Sequence, residues 1–359
     1  MVWYRSHGCY YDNATLKGEQ KILFFFCFSL ILGVNAQSIQ LERLDSGVQE
    51  SFRGLSVINR NVAWVSGTGG TVLRTVDGGK SWQNISVPQM NKTDFRDITG
   101  FDRHTAIVMG IDKPARFFKT TDGGKTWGLI YYDDREGVFF DGMSFWNKKY
   151  GIAFSDPVGG HHLLIRTTDG GNTWQDVPLK NIPEKLDPEF GFAASGTGIP
   201  VAGRNTVWLG MGGAKSRVFK SEDGGLHWTV AETPLVHGGQ STGIYSLCFK
   251  DKKIGIAVGG DYTDQSIQNT MAYTWDGGLT WHLPETQTHQ YRECVVHYRQ
   301  SIFFAVGPSG FDMTNDNGKN WQSIYSKEKD LTSMAFAKGT RTGFVVGKRG
   351  QIFKIKVKY

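Results

Sequence analysis

Six copies of one eight-residue pattern constrain the architecture of this chain more than any other feature. Each copy reads Thr or Ser, any residue, Asp, any residue, Gly, two further residues and Trp, and we call it the box. The copies are TVDGGKSW at 75–82, TTDGGKTW at 120–127, TTDGGNTW at 167–174, SEDGGLHW at 221–228, TWDGGLTW at 274–281 and TNDNGKNW at 314–321. The Asp residues of successive boxes are 45, 47, 54, 53 and 40 residues apart. A repeat period of about 40–50 residues is typical of propellers and solenoids.

The chemistry of the box predicts a turn. An Asp before glycines accepts hydrogen bonds from nearby backbone N–H groups, and glycine adopts positive φ without steric cost. Apolar segments such as 71–74, 116–119 and 163–166 precede the boxes, so each box is predicted to join the last two strands of a unit. The Trp is large enough to pack between neighbouring sheets. The residues that we assign a structural role are Asp77, Trp82, Asp122, Trp127, Asp169, Trp174, Asp223, Trp228, Asp276, Trp281, Asp316 and Trp321.

A second regularity lies upstream of each box, where an apolar segment precedes another that usually ends in a small residue. The first residue of this innermost strand and the small residue are 14 positions apart in most units. The pairs are Arg53 and Gly67, Arg96 and Gly110, Asp141 and Ser155, Tyr245 and Gly259, and Ser333 and Gly347, with Gly196 and Gly210 as a weaker match and Arg292 and Gly307 at 15. The pattern therefore predicts seven units, one more than the number of boxes.

The seventh unit has three predicted strands between 331 and 357 and no box. Residues 39–44 read as a strand that can supply the missing fourth one, which would leave no open sheet edge. We therefore predict an all-β fold: a seven-bladed β-propeller with four-stranded antiparallel blades, closed by an N-terminal strand. It is expected to be a single domain over 37–359. The 46 glycines and the 13% aromatic content fit many turns and packed sheets.

Residues 1–36 read as a leader. An apolar run of 13 residues at 22–34 follows Lys21, which suits a signal-peptide core, and Val34-Asn35-Ala36 resembles a cleavage site. The alternative is an uncleaved anchor. We expect export to a periplasmic or extracellular location and no transmembrane span in the mature chain. Cys248 and Cys294 are expected to be free, buried and facing opposite ways, because they occupy alternate positions of their strands.

The starts of the innermost strands predict a ring of side chains around one mouth of the central channel. Its members are Arg53, Arg96, Asp141, Gly196, Tyr245, Arg292 and Ser333, with Asp97 and Glu293 next to two of the arginines. Three arginines at one place can bind a carboxylate, a phosphate or an acidic protein tail. Alternatively, they pair with the acidic residues in a network that joins the blades.

Two long segments, 180–189 and 259–270, are expected to open on the same face, where loops of a rigid scaffold often carry recognition. His161 and His162 lack a third metal ligand nearby, and Asp261 and Asp264 form at most part of a calcium site, so we predict neither a metal nor a cofactor. The net charge of +6 without a basic run argues against nucleic acid as a partner. We expect a monomer.

The boxes resemble Asp-box repeats, also called bacterial neuraminidase repeats, of sialidases, sortilin-type receptors and the photosystem II stability/assembly factor family. Nearly the whole mature chain is most similar to the last of these, including arginines in SFRGL at 51–55 and DFRDI at 94–98. The resemblance implies boxes on the outer turns of the blades and chaperone-like binding to a membrane-protein intermediate through an arginine-lined surface.

Three functions follow as hypotheses. The first is an exported, non-catalytic scaffold that binds a protein or an anionic ligand at the channel mouth. The second is a sialidase-like glycoside hydrolase, which needs three arginines, an acid/base Asp and a Tyr–Glu pair; the Arg-Ile-Pro motif of that family is replaced here by Arg53-Gly54-Leu55. The third is a cell-surface protein that binds polysaccharide through exposed aromatic side chains.

Overall fold

The computed structural model describes residues 38–264, 266–325 and 327–358. The described strands form seven antiparallel sheets that are the blades of a propeller, as the sequence predicts. The strands of blades 1 to 3, from the channel outward, are Phe52–Val57, Ala63–Gly67, Val72–Thr75 and Gln83–Asn84; Phe95–Gly100, Ala106–Gly110, Ala115–Thr120 and Gly128–Asp133; and Phe140–Phe145, Gly151–Val158, His161–Thr167 and Gln175–Asp176.

Blades 4 to 7 follow the same plan with two variations. Their strands are Val201–Ala202, Thr206–Gly210, Arg217–Ser221 and Thr229–Glu232; Thr242–Phe249, Gly255–Asp261 and Met271–Thr274; Cys294–Arg299, Ile302–Gly307, Gly310–Thr314 and Gln322–Tyr325; and Leu331–Phe336, Thr342–Gly347, Ile352–Lys358 and Ser38–Leu44. In blade 5 a single bridge between Tyr273 and His282 takes the place of the fourth strand. The short strands Glu189–Phe190 and Gly212–Gly213 extend the inner edge of that blade.

The ring closes between the two ends of the described chain. Ser38–Leu44 pairs antiparallel with Ile352–Lys358, from Ser38 opposite Lys358 to Leu44 opposite Ile352. The predicted N-terminal closing strand is therefore confirmed. Residues 1–37, which include the predicted signal peptide, lie outside the described residues. Leu179–Asn181 forms one turn of 3-10 helix, and none of the described residues forms a helix with the length and apolar character needed to cross a bilayer.

The core lies between the blades rather than inside one central volume. Each pair of neighbouring blades, including blades 7 and 1, encloses its own cluster of buried apolar side chains. Between blades 1 and 2, for example, Trp64 and Val72 pack with Phe95 and Val108. Because each sheet is covered on both faces, its strands are apolar on both sides. Repeated burial of this kind makes the ring a stiff support for whatever lies at its mouth.

The boxes form the predicted turns. In the first, Asp77 Oδ1 accepts hydrogen bonds from the Thr75 hydroxyl at 2.8 Å and the Ser81 N–H at 3.0 Å, while Gly79 N donates to Thr75 Oγ1 at 2.9 Å. Gly78 and Gly79 have φ of 78° and 87°, which glycine adopts without strain. Hydrogen bonds from Ser81 hold the pKa of Asp77 down at about 2. The Asp77 carboxylate is therefore engaged by hydrogen bonds within the box.

The box tryptophans pack against the preceding blade. Trp127 of blade 2 donates its indole N–H to Ile85 O of blade 1 at 2.9 Å, and Trp82 of blade 1 packs edge-on against Phe344 of blade 7. Trp281 and Trp321 are buried, whereas the other four are half-buried. Trp82 and Trp127 thus pack between neighbouring blades, and the burial of the box tryptophans varies from blade to blade.

The two cysteines of the propeller are free, as expected. Cys294 is buried and its thiol lies 3.5 Å from Met334 O of blade 7, whereas Cys248 lies against the His297 N–H of blade 6. They face different blades and therefore do not meet. Cys248 is only half-buried, so the expectation that both cysteines are buried is wrong for this residue.

Candidate site at the channel mouth

A cavity of about 460 Å³ lies where the innermost strands begin, and we call it the mouth cavity. Five blades and the segment that precedes blade 4 contribute to it. Its walls are Arg53, Arg96, Phe192, Ala193, Ala194, Tyr245, Tyr262, Tyr291, Glu293, Pro308, Asp330 and Lys348. Four of the seven residues predicted as a binding site, Arg53, Arg96, Tyr245 and Glu293, are therefore brought together here.

A β-bulge places several of these side chains. The pairing register shifts between Phe52 and Gly54, so that Arg53 is the extra residue of its strand. The same shift occurs around Arg96 and Tyr245. A bulge re-aims one side chain away from the regular alternation of the strand. Gly67, opposite Phe52, has no room for a Cβ because Ser51 O would lie 2.1 Å away, which explains the small residue in the sequence pattern.

Arg53 connects opposite parts of the mouth. Its Nη1 lies 2.5 Å from Glu293 Oε2 of blade 6 and 3.3 Å from Ala194 O. Arg96 pairs through Nε with Asp94 at 2.6 Å and donates through Nη1 to Ala193 O at 2.8 Å. The two side chains are 20% and 26% exposed, so both still reach the solvent of the cavity. Arg53 thus makes one of the predicted ion pairs, with Glu293, whereas Arg96 pairs with Asp94, and both arginines also line the cavity.

Glu293 is the buried anion of this network. Burial raises its pKa above the ordinary value, although Arg53 and Lys348 favour the charged form. Tyr291 lines the cavity together with Glu293, and burial raises the pKa of this phenol well above its usual range. The phenol therefore stays protonated, and the Glu293 carboxyl is paired with the Arg53 cation.

Aromatic side chains form the opposite wall. Phe192 stacks on Tyr245 with ring centroids 3.8 Å apart, and Tyr291 meets Tyr245 edge-on at 4.9 Å. The Tyr245 hydroxyl donates to Ser241 O at 2.7 Å, which fixes the ring. Tyr262, from the predicted blade 5 loop, is 60% exposed at the rim. The cavity therefore joins cationic groups to flat apolar surfaces.

Residues 191–196, which we call the mouth strap, cross this site. Besides the two carbonyls held by the arginines, Ser195 Oγ donates to Glu293 O at 2.7 Å. Gly191 N donates to Asp156 Oδ1 at 2.9 Å. The long interval between blades 3 and 4 thus reaches the mouth, as expected, but through 191–196 rather than 180–189. In the latter, Glu189 is instead buried between His162 and Arg217, at 2.9 and 2.5 Å.

Asp97 and Asp141 do not line the cavity but are buried beneath the mouth strap. Asp97 accepts the Ile98 N–H at 2.7 Å and the Met143 N–H at 2.8 Å, and burial raises its pKa to about 7. Burial and the neighbouring Asp156 raise the pKa of Asp141 well above its usual range. As direct contacts for a ligand in the cavity, these two predicted residues are wrong, because the strap covers them.

Arg292 is also misplaced by the predicted ring. It is buried inside blade 6, where Nε lies 2.7 Å from Asp312 Oδ2 and Nη1 lies 2.6 Å from Ser309 Oγ. Gly307 packs against Arg292 in the same way that Gly67 packs against Phe52. Arg292 therefore occupies the position of Phe52 in its blade, and the next residue, Glu293, occupies the position of Arg53. The 15-residue spacing, against 14 elsewhere, was the signal for this shift.

Ser333 and Gly196 do not contribute to the walls either. In blade 7 the extra residue of the bulge is Thr332, whose hydroxyl donates to Phe52 O of blade 1 at 2.7 Å, and Ser333 is buried next to it. Gly196 ends the mouth strap with φ of 71°, where a Cβ would lie 2.4 Å from Asp97 Oδ1. The predicted first residue of the innermost strand is therefore displaced by one position in blades 6 and 7.

Several wall residues were missed by the predicted ring. Pro308 and Lys348 each follow the glycine that ends a second strand, and Asp330 precedes the innermost strand of blade 7. That repeated position was a usable signal for Pro308 and Lys348. Phe192, Ala193 and Ala194 carry no such signal, since they arrive through a long irregular segment.

The described residues contain no group of three or more His, Cys, Asp or Glu side chains placed to hold a metal ion. Asp261 accepts hydrogen bonds from Thr263, and Asp264 accepts them from Ser266. His162 is committed to Glu189. The acidic and imidazole groups singled out in the sequence are therefore engaged locally.

Comparison with known proteins supports the same architecture. A family model described as photosynthesis system II assembly factor YCF48 matches residues 34–136, a segment that contains Arg53 and Arg96. Photosystem II assembly lipoprotein Ycf48 of Synechococcus sp. (strain CC9902) is 23% identical over 239 residues, or 66% of this chain and 63% of the relative. The chain is an Asp-box propeller that resembles this family.

Glycoside hydrolases also share sequence with the chain. The xyloglucanase Xgh74A of Acetivibrio thermocellus is 23% identical over 269 residues, and a sialidase of Micromonospora viridifaciens is 28% identical over 201 residues. The matches cover 65% and 44% of this chain but only 31% and 30% of the two enzymes. The chain is thus similar both to an assembly factor and to parts of enzymes. The geometry of the site must therefore distinguish binding from catalysis.

A solved structure, described as YCF48 bound to D1 peptide, superposes with a TM-score of 0.64. It covers 89% of this chain and 97% of the other at 16% identity. YCF48 from Cyanidioschyzon merolae gives a TM-score of 0.62 at 19% identity, covering 88% and 98% of the two chains. At these identities the likeness establishes the propeller fold alone.

Proposed function

We propose that this chain is an exported, non-catalytic propeller that binds a protein partner, or another anionic ligand, in the mouth cavity. The observation that carries the proposal is the convergence of Arg53, Arg96 and Lys348 with an aromatic wall on one rigid ring. The proposed ligand is an acidic peptide segment, whose carboxylate the cations would bind and whose apolar side chains would rest on Tyr245 and Tyr262.

The arginines keep donors for such a ligand. Among the described residues, the hydrogen bonds of Arg53 use Nη1, and those of Arg96 use Nε and Nη1. A guanidinium carries five N–H donors, so the Nη2 group of each has its donors left for a carboxylate. The existing bonds hold both side chains in place, which lowers the entropy lost on binding.

The comparisons support this role by analogy. The similar family consists of assembly factors, and one solved member is described as bound to a peptide. The matched segment includes both arginines. Export rests on the apolar run at 22–34 and its cleavage-like site, which are sequence features. We further propose that the mature chain is a monomer.

One observation favours the sialidase-like alternative: Tyr291 and Glu293 line one cavity that also holds two arginines. The third arginine that such an enzyme needs does not join them, because Arg292 is buried against Asp312. Glu293 is, moreover, paired with Arg53, whereas a nucleophile pair requires the carboxylate to be available to the phenol. For these reasons we prefer binding over catalysis.

The proposal is tested by affinity capture from the native host with Arg53→Gln and Arg96→Gln combined. These changes remove the two charges and leave shorter polar side chains in their place. We expect capture of the partner to fall at least about tenfold, since each lost charged hydrogen bond contributes about 1.5–3 kcal/mol. Arg60→Gln with Arg103→Gln, two exposed arginines, serves as the control.

A fluorogenic sialoside assay separates the two functions. No turnover above buffer is expected of the wild-type chain. Turnover that Glu293→Gln abolishes would overturn the non-catalytic proposal in favour of a glycosidase. Capture that is equal in the cavity variant and the control would instead remove the mouth cavity as the binding site.

A further inference from the structure

We infer that the mouth strap is a built-in gate, which covers the proposed binding site while the carboxyl groups of Asp141 and Asp156, beside Gly191 at one end of the strap, share a proton, and which is released when both are ionised. The inference concerns regulation of the site and in that respect rests on the proposed function. The strap itself can be tested in the free protein.

The strap already occupies part of the site. Ala193 O and Ala194 O accept hydrogen bonds from Arg96 and Arg53, at 2.8 and 3.3 Å. Phe192 covers the face of Tyr245. A carboxylate ligand and an apolar side chain would need these same partners. An incoming acidic peptide therefore competes with the strap for the arginines and for the aromatic wall.

Two acidic side chains lie directly under one end of the strap. Gly191 N donates to Asp156 Oδ1 at 2.9 Å, and a Cβ on Gly191 would lie 2.6 Å from Asp141 Oδ2. Asp141 is 1% exposed, and neither of its oxygens has a well-formed hydrogen bond to an N–H donor. The half-buried Asp156 and the buried Asp141 are therefore both adjacent to Gly191. Two carboxyl groups that share one site of low solvent access are stable only when at least one is protonated.

The charged groups around the pair are few. Arg96 of blade 2 is the cation that faces Asp141, and it favours the ionised form. Asp97, also of blade 2, lies under the other end of the strap at Gly196. Burial raises the pKa of Asp156 to about 6, and it raises the pKa of Asp141 well above its usual range. Burial thus outweighs Arg96, and the pair holds its proton in mildly acidic solution.

Opening of the strap relieves the unfavourable burial of two ionised carboxyl groups. When residues 191–196 lift away, water reaches both carboxylates and their pKa values return toward the ordinary value of about 3.9. The closed strap therefore binds a proton that the open strap releases, so the open fraction rises with pH. Between the ordinary pKa of Asp156 with the strap open and its raised pKa with the strap closed, the open fraction increases about tenfold per pH unit.

Hydrogen–deuterium exchange of the free protein, read by mass spectrometry on peptides that cover 191–196, tests the gate. After correction for intrinsic exchange rates, we expect protection at pH 5 to exceed protection at pH 8 by about tenfold or more. In Asp141→Asn combined with Asp156→Asn the difference should shrink below about twofold, because neither side chain can then bind or release a proton. Asp134→Asn, at an exposed acid, is the control.

Equal protection of the wild-type strap at both pH values overturns the inference, as does a pH dependence that survives in the double variant. The wild-type series decides the question even if a variant fails to fold. The exchange experiment contains no partner, so a result that overturns the gate does not affect the proposed function. Likewise, failure of partner capture does not affect the inference about the gate.

Discussion

Arg53 Nη1 lies 2.5 Å from Glu293 Oε2, which ties blade 1 to blade 6 at the channel mouth although blade 7 separates them in the ring. The pair neutralises one of the cations that the proposed function uses. Glu293 is thereby both a structural partner of Arg53 and a competitor of an acidic ligand. The balance between these roles can be measured.

Glu293→Gln removes the charge and keeps the size of the side chain. We expect an acidic peptide probe to bind about fivefold more tightly at pH 8 and low salt, since a charge at about 4 Å in water contributes about 1 kcal/mol. The gain should fade as salt screens it. Isothermal titration calorimetry measures the change, and weaker binding of the probe by the variant would show that Glu293 assists the ligand instead of opposing it.

Arg292→Ala is expected to destabilise the propeller without a specific effect on binding. Arg292 and Asp312 have side chains only 2% and 0% exposed, so the change leaves a buried carboxylate without its cation. Loss of one partner of a buried ion pair costs about 3–5 kcal/mol. Urea denaturation provides the free energy of unfolding, with Arg60→Ala as the control. Unchanged stability combined with lost capture would return Arg292 to the binding site.

The box tryptophans should differ in their contribution. Trp321 is 3% exposed, and Trp321→Ala is expected to lower the free energy of unfolding by about 3–5 kcal/mol. Trp127 is half-buried, so Trp127→Ala should cost less, about 2–3 kcal/mol, including the hydrogen bond lost by Ile85 O. Parallel urea titrations compare the two. A larger loss for Trp127 would contradict the packing described here.

Stability should rise as the pH falls from 8 to 5. Burial raises the pKa of Asp97 to about 7 and that of Asp156 to about 6, so both carboxyls stabilise the fold when protonated and lose that stabilisation as the pH rises. The box carboxylates act in the opposite sense, because the pKa of Asp77, near 2, is below its ordinary value. Their contribution is lost only as the pH falls from about 4 toward 2.

The melting temperature is therefore expected to peak near pH 4–5. Differential scanning fluorimetry from pH 3 to 8.5 tests this, and Asp97→Asn should flatten the slope between about pH 4 and 7, where the folded state binds this proton and the unfolded state does not. A melting temperature that increases steadily from pH 5 to 8 would contradict the raised pKa values.

The fold was predictable because its chemistry is local. The hydrogen bonds of the Asp77 and Thr75 side chains that form the first box lie within 75–82, so the pattern at 75–82 identifies the turn, and the spacing then counts the blades. Blade 7 and the closing strand at Ser38–Leu44 follow from the missing box. Sequence alone was sufficient where the interacting groups are neighbours in the chain.

The site was less predictable for two physical reasons. Side chains alternate along a strand, so an error of one residue in the predicted strand start reverses which side chain faces the mouth. The prediction therefore places Arg292 in the position that Glu293 occupies. The mouth strap is held by contacts between distant residues, such as Arg53 with Ala194, 141 positions apart. No local pattern encodes that encounter, and Asp97 and Asp141 were consequently assigned to a surface that the strap covers.

The central claim, that a protein partner binds at the mouth cavity, is tested most directly by photo-crosslinking. A benzophenone amino acid is placed at Tyr262, 60% exposed at the rim, or at Tyr132, 53% exposed on the outer strand of blade 2. In host extract we predict one discrete crosslinked protein from position 262, absent from position 132 and lost with Arg53→Gln plus Arg96→Gln. A product of equal yield from position 132, or one that survives the arginine changes, would contradict the claim.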